Sequence, residues 1–126
     1  MENVVRTKIT HERHWYYPYL VYADVLEKLW LKNDFYIQNW DGLPNKDWFH
    51  PESGFFKTAD VEVIVNNDKM FIHFINGRHR TRWLLQTGES LVPVAFEENN
   101  ITIAEECGLV FRQANEFDEI AWNNNI

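Results

Sequence analysis

Cysteine is almost absent from the sequence, since Cys107 is the only one among 126 residues. A single thiol excludes an internal disulfide framework and any zinc or redox site of the Cys-x-x-Cys type. Long apolar runs are also missing, because no stretch approaches the roughly 20 residues that cross a bilayer. The first ten residues, MENVVRTKIT, lack the apolar segment of a signal peptide. We therefore expect a cytoplasmic protein that does not contact a membrane.

Positive charge is also scarce, because the sequence has 12 lysine and arginine residues and 19 acidic residues, which gives a net charge of -7. Such a protein has no general attraction for nucleic acid, so net charge does not favour DNA as a partner. Most of the imbalance falls in an acidic C-terminal segment, 97–126, where Arg112 is the single basic residue. This segment is either a solvated surface or a patch that meets a basic partner or mimics nucleic acid.

The length predicts a single domain over residues 1–126, since domains usually run to about 100–150 residues. Aromatic residues make up 16% of the chain, which favours a core or a docking surface built from rings. Trp40, Trp48 and Phe49 lie among turn signals, so the stretch 39–54 is predicted to be a long ordered loop. These three rings either form a partner surface or plug the core.

Periodicity predicts the elements of the N-terminal two thirds. Apolar residues at spacings of three and four predict a helix over 19–33, with Pro18 in its first turn. Runs of β-branched residues predict a hairpin formed by strands 61–65 and 70–75.

The remaining elements follow from glycine, proline and cap signals. A helix is predicted over 78–87, ended by Gly88, and then a strand over 91–96 that Pro93 limits to an edge or end position. A capping-box spacing predicts a short helix from Thr102 up to Gly108, and residues 122–126 resemble a fraying tail. Cys107 is expected to be a small packed side chain.

The most specific local signal is the sequence Asn76-Gly77-Arg78-His79-Arg80 between an apolar strand and a helix. Glycine permits a tight bend or a close approach of a ligand, and the first amides of a helix favour an anion such as phosphate. The two arginines and the histidine add donors that match phosphate oxygens. These five residues therefore predict a phosphate or nucleotide site, which we call the NGRHR turn.

The alternative interpretation is structural, because acidic neighbours such as Asp60 or Glu62 would also balance the arginines. The same two acids, with Asp41, are the candidates for a metal ligand or a catalytic base. Helical spacing predicts that His79 and Arg80 face the ligand or the interior.

Arg78 and Arg82 share a face of the predicted helix and are expected nearer solvent. His11, Glu12 and His14 lie close together, but no metal-binding spacing is present, so we expect a surface cluster and no metal.

The run MFIHFINGRHRTRWLLQTGESLVPVAF, within about 69–96, resembles the core of the ParB/sulfiredoxin superfamily. That core has an apolar strand, Asp-Gly-x-His-Arg, a helix that ends in glycine, and an apolar strand with proline. DVLEKLWLKNDFYI and GRHRTRWL are most similar to the plasmid fertility-inhibition factors, the Osa/FiwA-like family. The resemblance implies a compact α/β domain with a small mixed sheet and a phosphate or nucleotide site at the turn.

The resemblance also implies a function, namely that the protein binds and inhibits a component of a conjugative DNA-transfer machine. The alternatives are an ATPase or nuclease of the superfamily, with ATP or CTP and magnesium as the implied ligands, and a regulatory partner without a ligand. Gly77, His79 and Arg80 match the superfamily motif, whereas Asn76 and Arg78 match it in position only.

Departures from the superfamily motif argue against some of the enzyme activities known in that superfamily. Arg78 stands where sulfiredoxin has its catalytic cysteine, which argues against sulfinic reductase chemistry. Asn76 stands where the serine kinases have an acid, and an amide cannot act as a base. Only the acidic segment follows the core, so centromere-type DNA binding is not supported, and no catalytic residue is assigned.

Overall fold

A computed structural model describes residues 3–32 and 35–124 of the protein. They form seven strands, three α-helices and two single-turn helices, which confirms the predicted α/β class with a mixed sheet. The strands are β1 Val4–His11, β2 Tyr16–Tyr22, β3 Phe56–Asn66, β4 Lys69–Phe74, β5 Leu91–Glu97, β6 Val110–Gln113 and β7 Glu119–Asn123. The α-helices are α1 Ala23–Trp30, α2 Arg78–Gln86 and α3 Ile101–Glu106, and the single-turn helices are Lys46–Trp48 and Glu98–Asn100. In these two ranges we find no helix of the length and apolarity that a membrane span requires.

The strands form one curled sheet in the order β6-β2-β5-β3-β1-β7, and β4 pairs with β3 outside this path. β3 is parallel to both β1 and β5, whereas β2 is antiparallel to β5 and β6. Residues 114–118 alone connect β6 to β7, although these strands lie at opposite ends of the order. A connection this short requires the sheet to curl so that its two end strands approach each other.

The core lies between the sheet and helices α1 and α2, and large rings fill much of it. Trp30, Phe56 and Phe96 are fully buried. The Trp30 ring packs against Phe74 on β4 with centroids 4.6 Å apart. β5 has five consecutive buried residues, as expected for a strand covered on both faces.

The predicted hairpin is confirmed, since β3 and β4 are antiparallel and join through a turn at Asn67 and Asp68. Both residues have positive φ angles, 50° and 64°, which the tight hairpin turn requires. α2 ends at Gln86, and Gly88 follows with a φ of +86°, as the sequence predicted.

The predicted helix over 19–33 is wrong in its first part. Residues Tyr16–Tyr22, including Pro18, form β2, which pairs with β5 over its whole length, and the helix begins at Ala23. Val21 is fully buried beside β5. The apolar spacing extended upstream because Leu20, a strand residue, lies three positions before Ala23. Asn33, the predicted end, lies outside the described residues.

Pro93 does not place its strand at an edge, because β5 lies between β2 and β3. The pairing of β5 with β3 is restricted to Val94 and Ala95. Pro93 comes just before this pairing, so its missing N–H removes no hydrogen bond to β3. An interior strand can therefore contain this proline.

Two C-terminal predictions are also corrected. Thr102 lies inside α3 and not at its cap, which is Asn100, although the helix does end before Gly108 as expected. The Asn100 side chain bonds the backbone N and O of Val63 at 2.8 and 3.0 Å and so ties α3 to β3. Trp122 belongs to β7, which pairs with β1, and not to a frayed tail. Residues 125 and 126 lie outside the described part.

Candidate functional site

The NGRHR turn joins β4 to α2 and lies directly against β3. Gly77 has φ +80° and ψ 20°, the left-handed conformation, and forms the N-cap of α2 without a side-chain hydrogen bond. A Cβ atom at this position would lie 2.5 Å from Cβ and 2.9 Å from Cα of Ala59. Glycine is therefore required here both by backbone conformation and by the close approach of the turn to β3.

Asn76 fastens the turn to β3 through its side chain. Its Oδ1 accepts a hydrogen bond from the backbone N–H of Asp60 at 2.8 Å, and its Nδ2 donates to Asp60 Oδ2 at 2.9 Å. The N–H of Ile75 donates to the Asp60 carbonyl at 2.9 Å. The donor and the acceptor of this amide are therefore both used within the protein.

Arg80 points into the fold, as expected, and is only 8% exposed. Its Nη2 donates to Glu12 Oε2 at 3.2 Å, to the Thr58 carbonyl at 3.2 Å and to Asn76 Oδ1 at 3.0 Å. Burial lowers the pKa of Arg80, whereas the carboxylates of Glu12 and Asp60 raise it. The guanidinium therefore has acidic partners within the chain, as the structural interpretation of the turn requires.

Asp60 is fully buried at the centre of this network. Burial raises the pKa of its carboxyl, while the hydrogen bond from Asn76 and the charge of Arg13, whose Nε is 3.6 Å from Oδ2, lower it. Its Oδ1 has no hydrogen-bond partner within the described residues. A buried carboxyl with a raised pKa next to arginines is the electrostatic arrangement that a proton-transfer residue needs. The same arrangement also occurs in ion networks that only stabilise a fold.

The other two acids nominated from the sequence lie elsewhere. Glu62 lines a separate polar cavity of about 190 Å³ with Tyr16 and Glu97, and the structure brings Asp60 but not Glu62 to the turn. Asp41 is exposed and accepts a hydrogen bond from Asn39. Within residues 3–32 and 35–124, no three histidine, cysteine or acidic side chains are grouped to hold a metal ion.

Arg82 is not near solvent, contrary to the prediction. It is 7% exposed, and its Nη1 donates to both carboxylate oxygens of Glu27 at 2.9 and 3.0 Å. The hydroxyl of Tyr36 donates to the same carboxylate at 2.6 Å. Helical spacing could not predict this, because residues 35–37 and α1 cover a face of α2 that would otherwise be exposed.

Arg78 and His79 occupy the outer side of the turn. Arg78 is partly buried, donates to the Phe35 carbonyl at 3.3 Å and lies 5.4 Å from the centre of the Phe35 ring. His79 is exposed, and its ring meets Trp40 edge-on with centroids 5.6 Å apart. The turn thus has a buried charge network on one side and two accessible donors on the other.

The predicted loop 39–54 is present, and it contributes rings to the core. Trp48 is 8% exposed and packs 5.9 Å from Trp83 of α2, and Phe49 packs 5.8 Å from Phe56 of β3. Trp40 is partly buried against Trp48. Of the proposed partner surface, only part of Trp40 and Phe49 is therefore accessible.

Sequence reasoning missed Glu12, Arg13 and Thr58 as members of the Arg80 network. His11, Glu12 and His14 are exposed as expected, yet the Glu12 carboxylate reaches both Arg80 and, at 3.6 Å, Lys57. A detectable signal was present, since Thr58, Asp60 and Glu62 occupy alternate positions of a strand whose intervening residues are apolar.

No protein-family model and no curated protein matches the sequence. Among solved structures, the chain is similar to the crystal structure of the oncogenic suppression activity protein, a plasmid fertility inhibition factor. The TM-score is 0.57 at 15% identity, over 86% of this chain and 70% of that one. The chain has the fold of a plasmid fertility inhibition factor. The predicted resemblance is confirmed at this level, while kinship with the wider ParB/sulfiredoxin superfamily stays a prediction from residues 69–96.

Proposed function

We propose that the protein acts in the cytoplasm as a fertility-inhibition protein, which binds a protein component of a conjugative DNA-transfer machine and inhibits it. The observation that carries this proposal is the fold shared with a plasmid fertility inhibition factor over most of both chains. Acidic net charge supports a protein partner and not DNA as the bound component.

A mating experiment tests the proposal. The protein is produced in donor cells that carry a transferable plasmid, or in recipient cells only, and the transfer frequency is counted. We expect fewer transconjugants when the protein is in the donor, where the machine is assembled, and no change when it is in the recipient. A donor that produces the Gly77→Val variant is the control, because a side chain at this position would clash with Ala59 and disrupt the fold. Equal transfer with and without the native protein in the donor contradicts the proposal.

A second candidate function is phosphate or nucleotide binding at the NGRHR turn, with ATP or CTP and magnesium as the ligands to test. It is supported by the N-terminus of α2, where Gly77 gives no side-chain cap and where Arg78 and His79 lie on the outer side. Arg80 would act indirectly, because its Nη2 already donates to Glu12, Thr58 and Asn76.

Calorimetric titration with each nucleotide, with and without magnesium, tests this candidate. If the site binds phosphate, the heat of binding decreases in the Arg78→Ala and His79→Ala variants, which remove outer donors without opening the core. Arg6→Ala, an exposed arginine on β1, is the control. Absence of heat with every nucleotide would mean that the turn is structural. An ATPase or nuclease role would then lose its supporting site.

A further inference from the structure

Exposed rings lie on the end strand β6 and on the chain segments next to it. Phe111 is about half exposed and meets Tyr22 edge-on with centroids 5.9 Å apart. Phe117, in the connection that follows β6, is 76% exposed. Exposed rings on an end strand and on the connection that follows it are typical of a surface that contacts another molecule.

Three exposed carboxylates flank the same strand. Glu105 and Glu106 lie at the C-terminal end of α3, where the helix dipole adds negative potential, and Glu116 follows the other end of β6. None of the three forms an ion pair with another residue in the described ranges. We call the rings Tyr22, Phe111 and Phe117 together with Glu105, Glu106 and Glu116 the acidic aromatic edge.

The edge already holds one guanidinium group of the protein itself. Arg112 donates through Nη1 and Nη2 to the two carboxylate oxygens of Asp118 at 2.8 and 2.7 Å. The same guanidinium lies 5.8 Å from the centre of the Phe111 ring. Carboxylate pairing combined with a contact to a ring face is the usual way in which proteins bind arginine side chains.

The backbone of β6 is poorly suited to pairing with another strand. Val110 pairs with Val21 and Arg112 with Leu20, so Phe111 is the extra residue of a β-bulge. Arg112 also donates to the Gln113 carbonyl at 3.0 Å. A short, bulged edge resists strand addition, so a partner would contact the side chains and not extend the sheet.

We propose that the acidic aromatic edge is the docking surface for an arginine-rich segment of a protein partner. Charge complementarity selects this occupant, because unpaired carboxylates and exposed rings attract guanidinium groups. A net charge of -7 opposes binding of DNA or of a second copy of the chain. The inference rests on the proposed function, because the arginine-rich segment would belong to the component of the DNA-transfer machine that the protein inhibits.

The binding test uses a fluorescent peptide of alternating arginine and glycine, with anisotropy as the signal at physiological salt. The variant Glu105→Gln, Glu106→Gln, Glu116→Gln is compared with a matched control of equal charge change in the loop 39–54, namely Asp41→Asn, Asp47→Asn, Glu52→Gln. We expect the affinity to fall about tenfold in the first variant and less than about twofold in the control. Equal losses in both would show attraction to net charge alone and overturn the proposal.

The rings are tested separately by Phe117→Ala, with Phe55→Ala, an exposed ring outside the edge, as the control. We expect a fall in peptide affinity of about threefold or more for Phe117→Ala only, since a ring contact with a guanidinium would be lost. Unchanged affinity would overturn the proposed role of the rings.

The mating experiment separates the two proposals. If the triple glutamine variant still inhibits transfer as well as the native protein, the docking surface is wrong and the proposed function stands. If the native protein binds the peptide through this edge but does not inhibit transfer, the proposed function is wrong and the edge stands as an arginine-binding surface.

Discussion

Gly77 lies so close to Ala59 that a Cβ atom built on it would be 2.5 Å from the Ala59 Cβ. The same atom would be 2.9 Å from Cζ of Arg80. The start of α2 is thus packed directly on β3, with the Arg80 side chain beside the contact. The packing against Ala59 therefore explains why residue 77 is glycine, without any bound ligand.

The first prediction concerns this contact. Gly77→Ala should lower the free energy of unfolding by about 2–4 kcal/mol, because it combines a left-handed conformation with overpacking. Gly88→Ala is the matched control, since Gly88 has a similar φ of +86° but open space around its Cα. It should cost about 1 kcal/mol. Urea unfolding of both variants measures the difference, and equal losses would show that contact with Ala59 does not matter.

The second prediction concerns the buried arginine of α2. Arg82→Ala should lower the free energy of unfolding by about 1–3 kcal/mol, because it removes the guanidinium that pairs with the Glu27 carboxylate and that donates to the Tyr36 hydroxyl. Arg6→Ala, at an exposed position of β1, should change it by less than about 0.5 kcal/mol. Chemical denaturation gives both values, and a neutral Arg82→Ala would contradict the observed network.

The third prediction concerns the pH dependence that comes from Asp60. Burial raises the pKa of the folded carboxyl above its ordinary value of 3.8, so the folded state retains a proton that the unfolded state releases. The stability from this group is therefore present below the unfolded pKa and is lost as the pH rises through the folded pKa. Asp60→Asn removes the titration, so its stability relative to the native protein should increase as the pH is raised from about 4 to about 7.

Urea unfolding of Asp60→Asn and of the native protein at several pH values measures this dependence. Asp41→Asn, which removes an exposed carboxylate, is the control and should show no such trend. A stability difference that stays constant or shrinks with increasing pH would mean that the pKa of Asp60 is not raised.

The fourth prediction concerns the C-terminal strand. Trp122 packs 5.5 Å from Trp83 and 6.3 Å from Phe49, and its Nε1 donates to Thr7 at 3.2 Å. Trp122→Ala should therefore cost about 2–3 kcal/mol of unfolding free energy. Phe117→Ala, at a largely exposed ring, should cost less than about 0.5 kcal/mol. Thermal unfolding of the two variants decides whether β7 is an integral part of the fold.

The elements with strong local signals could be predicted from the sequence. β-branched alternation identified the hairpin, and Gly88 identified the end of α2. The start of α1 could not be predicted, because Leu20 continues the apolar spacing although it belongs to a strand. The interior position of Pro93 depends on where pairing with β3 begins, which is a property of the assembled sheet.

Only the residues of the NGRHR turn itself and one acidic neighbour could be predicted as part of the site from the sequence. The left-handed Gly77 and the inward Arg80 follow from the local pattern, and Asp60 was foreseen as an acidic neighbour. Glu12 and Glu27 were not foreseen as partners of the arginines, because each lies more than fifty residues away and is brought in by tertiary contacts. Sequence spacing contains no information about such pairs.

Transfer frequency at graded protein levels in the donor is the measurement that decides whether the protein inhibits a DNA-transfer machine by binding it. If a component of the machine is sequestered, its occupied fraction follows mass action, so transfer should fall progressively as the protein level rises. The Gly77→Val variant, produced at the same level, should give the same transfer frequency as a donor without the protein. A transfer frequency that does not depend on the level of folded native protein would show that the protein does not inhibit transfer.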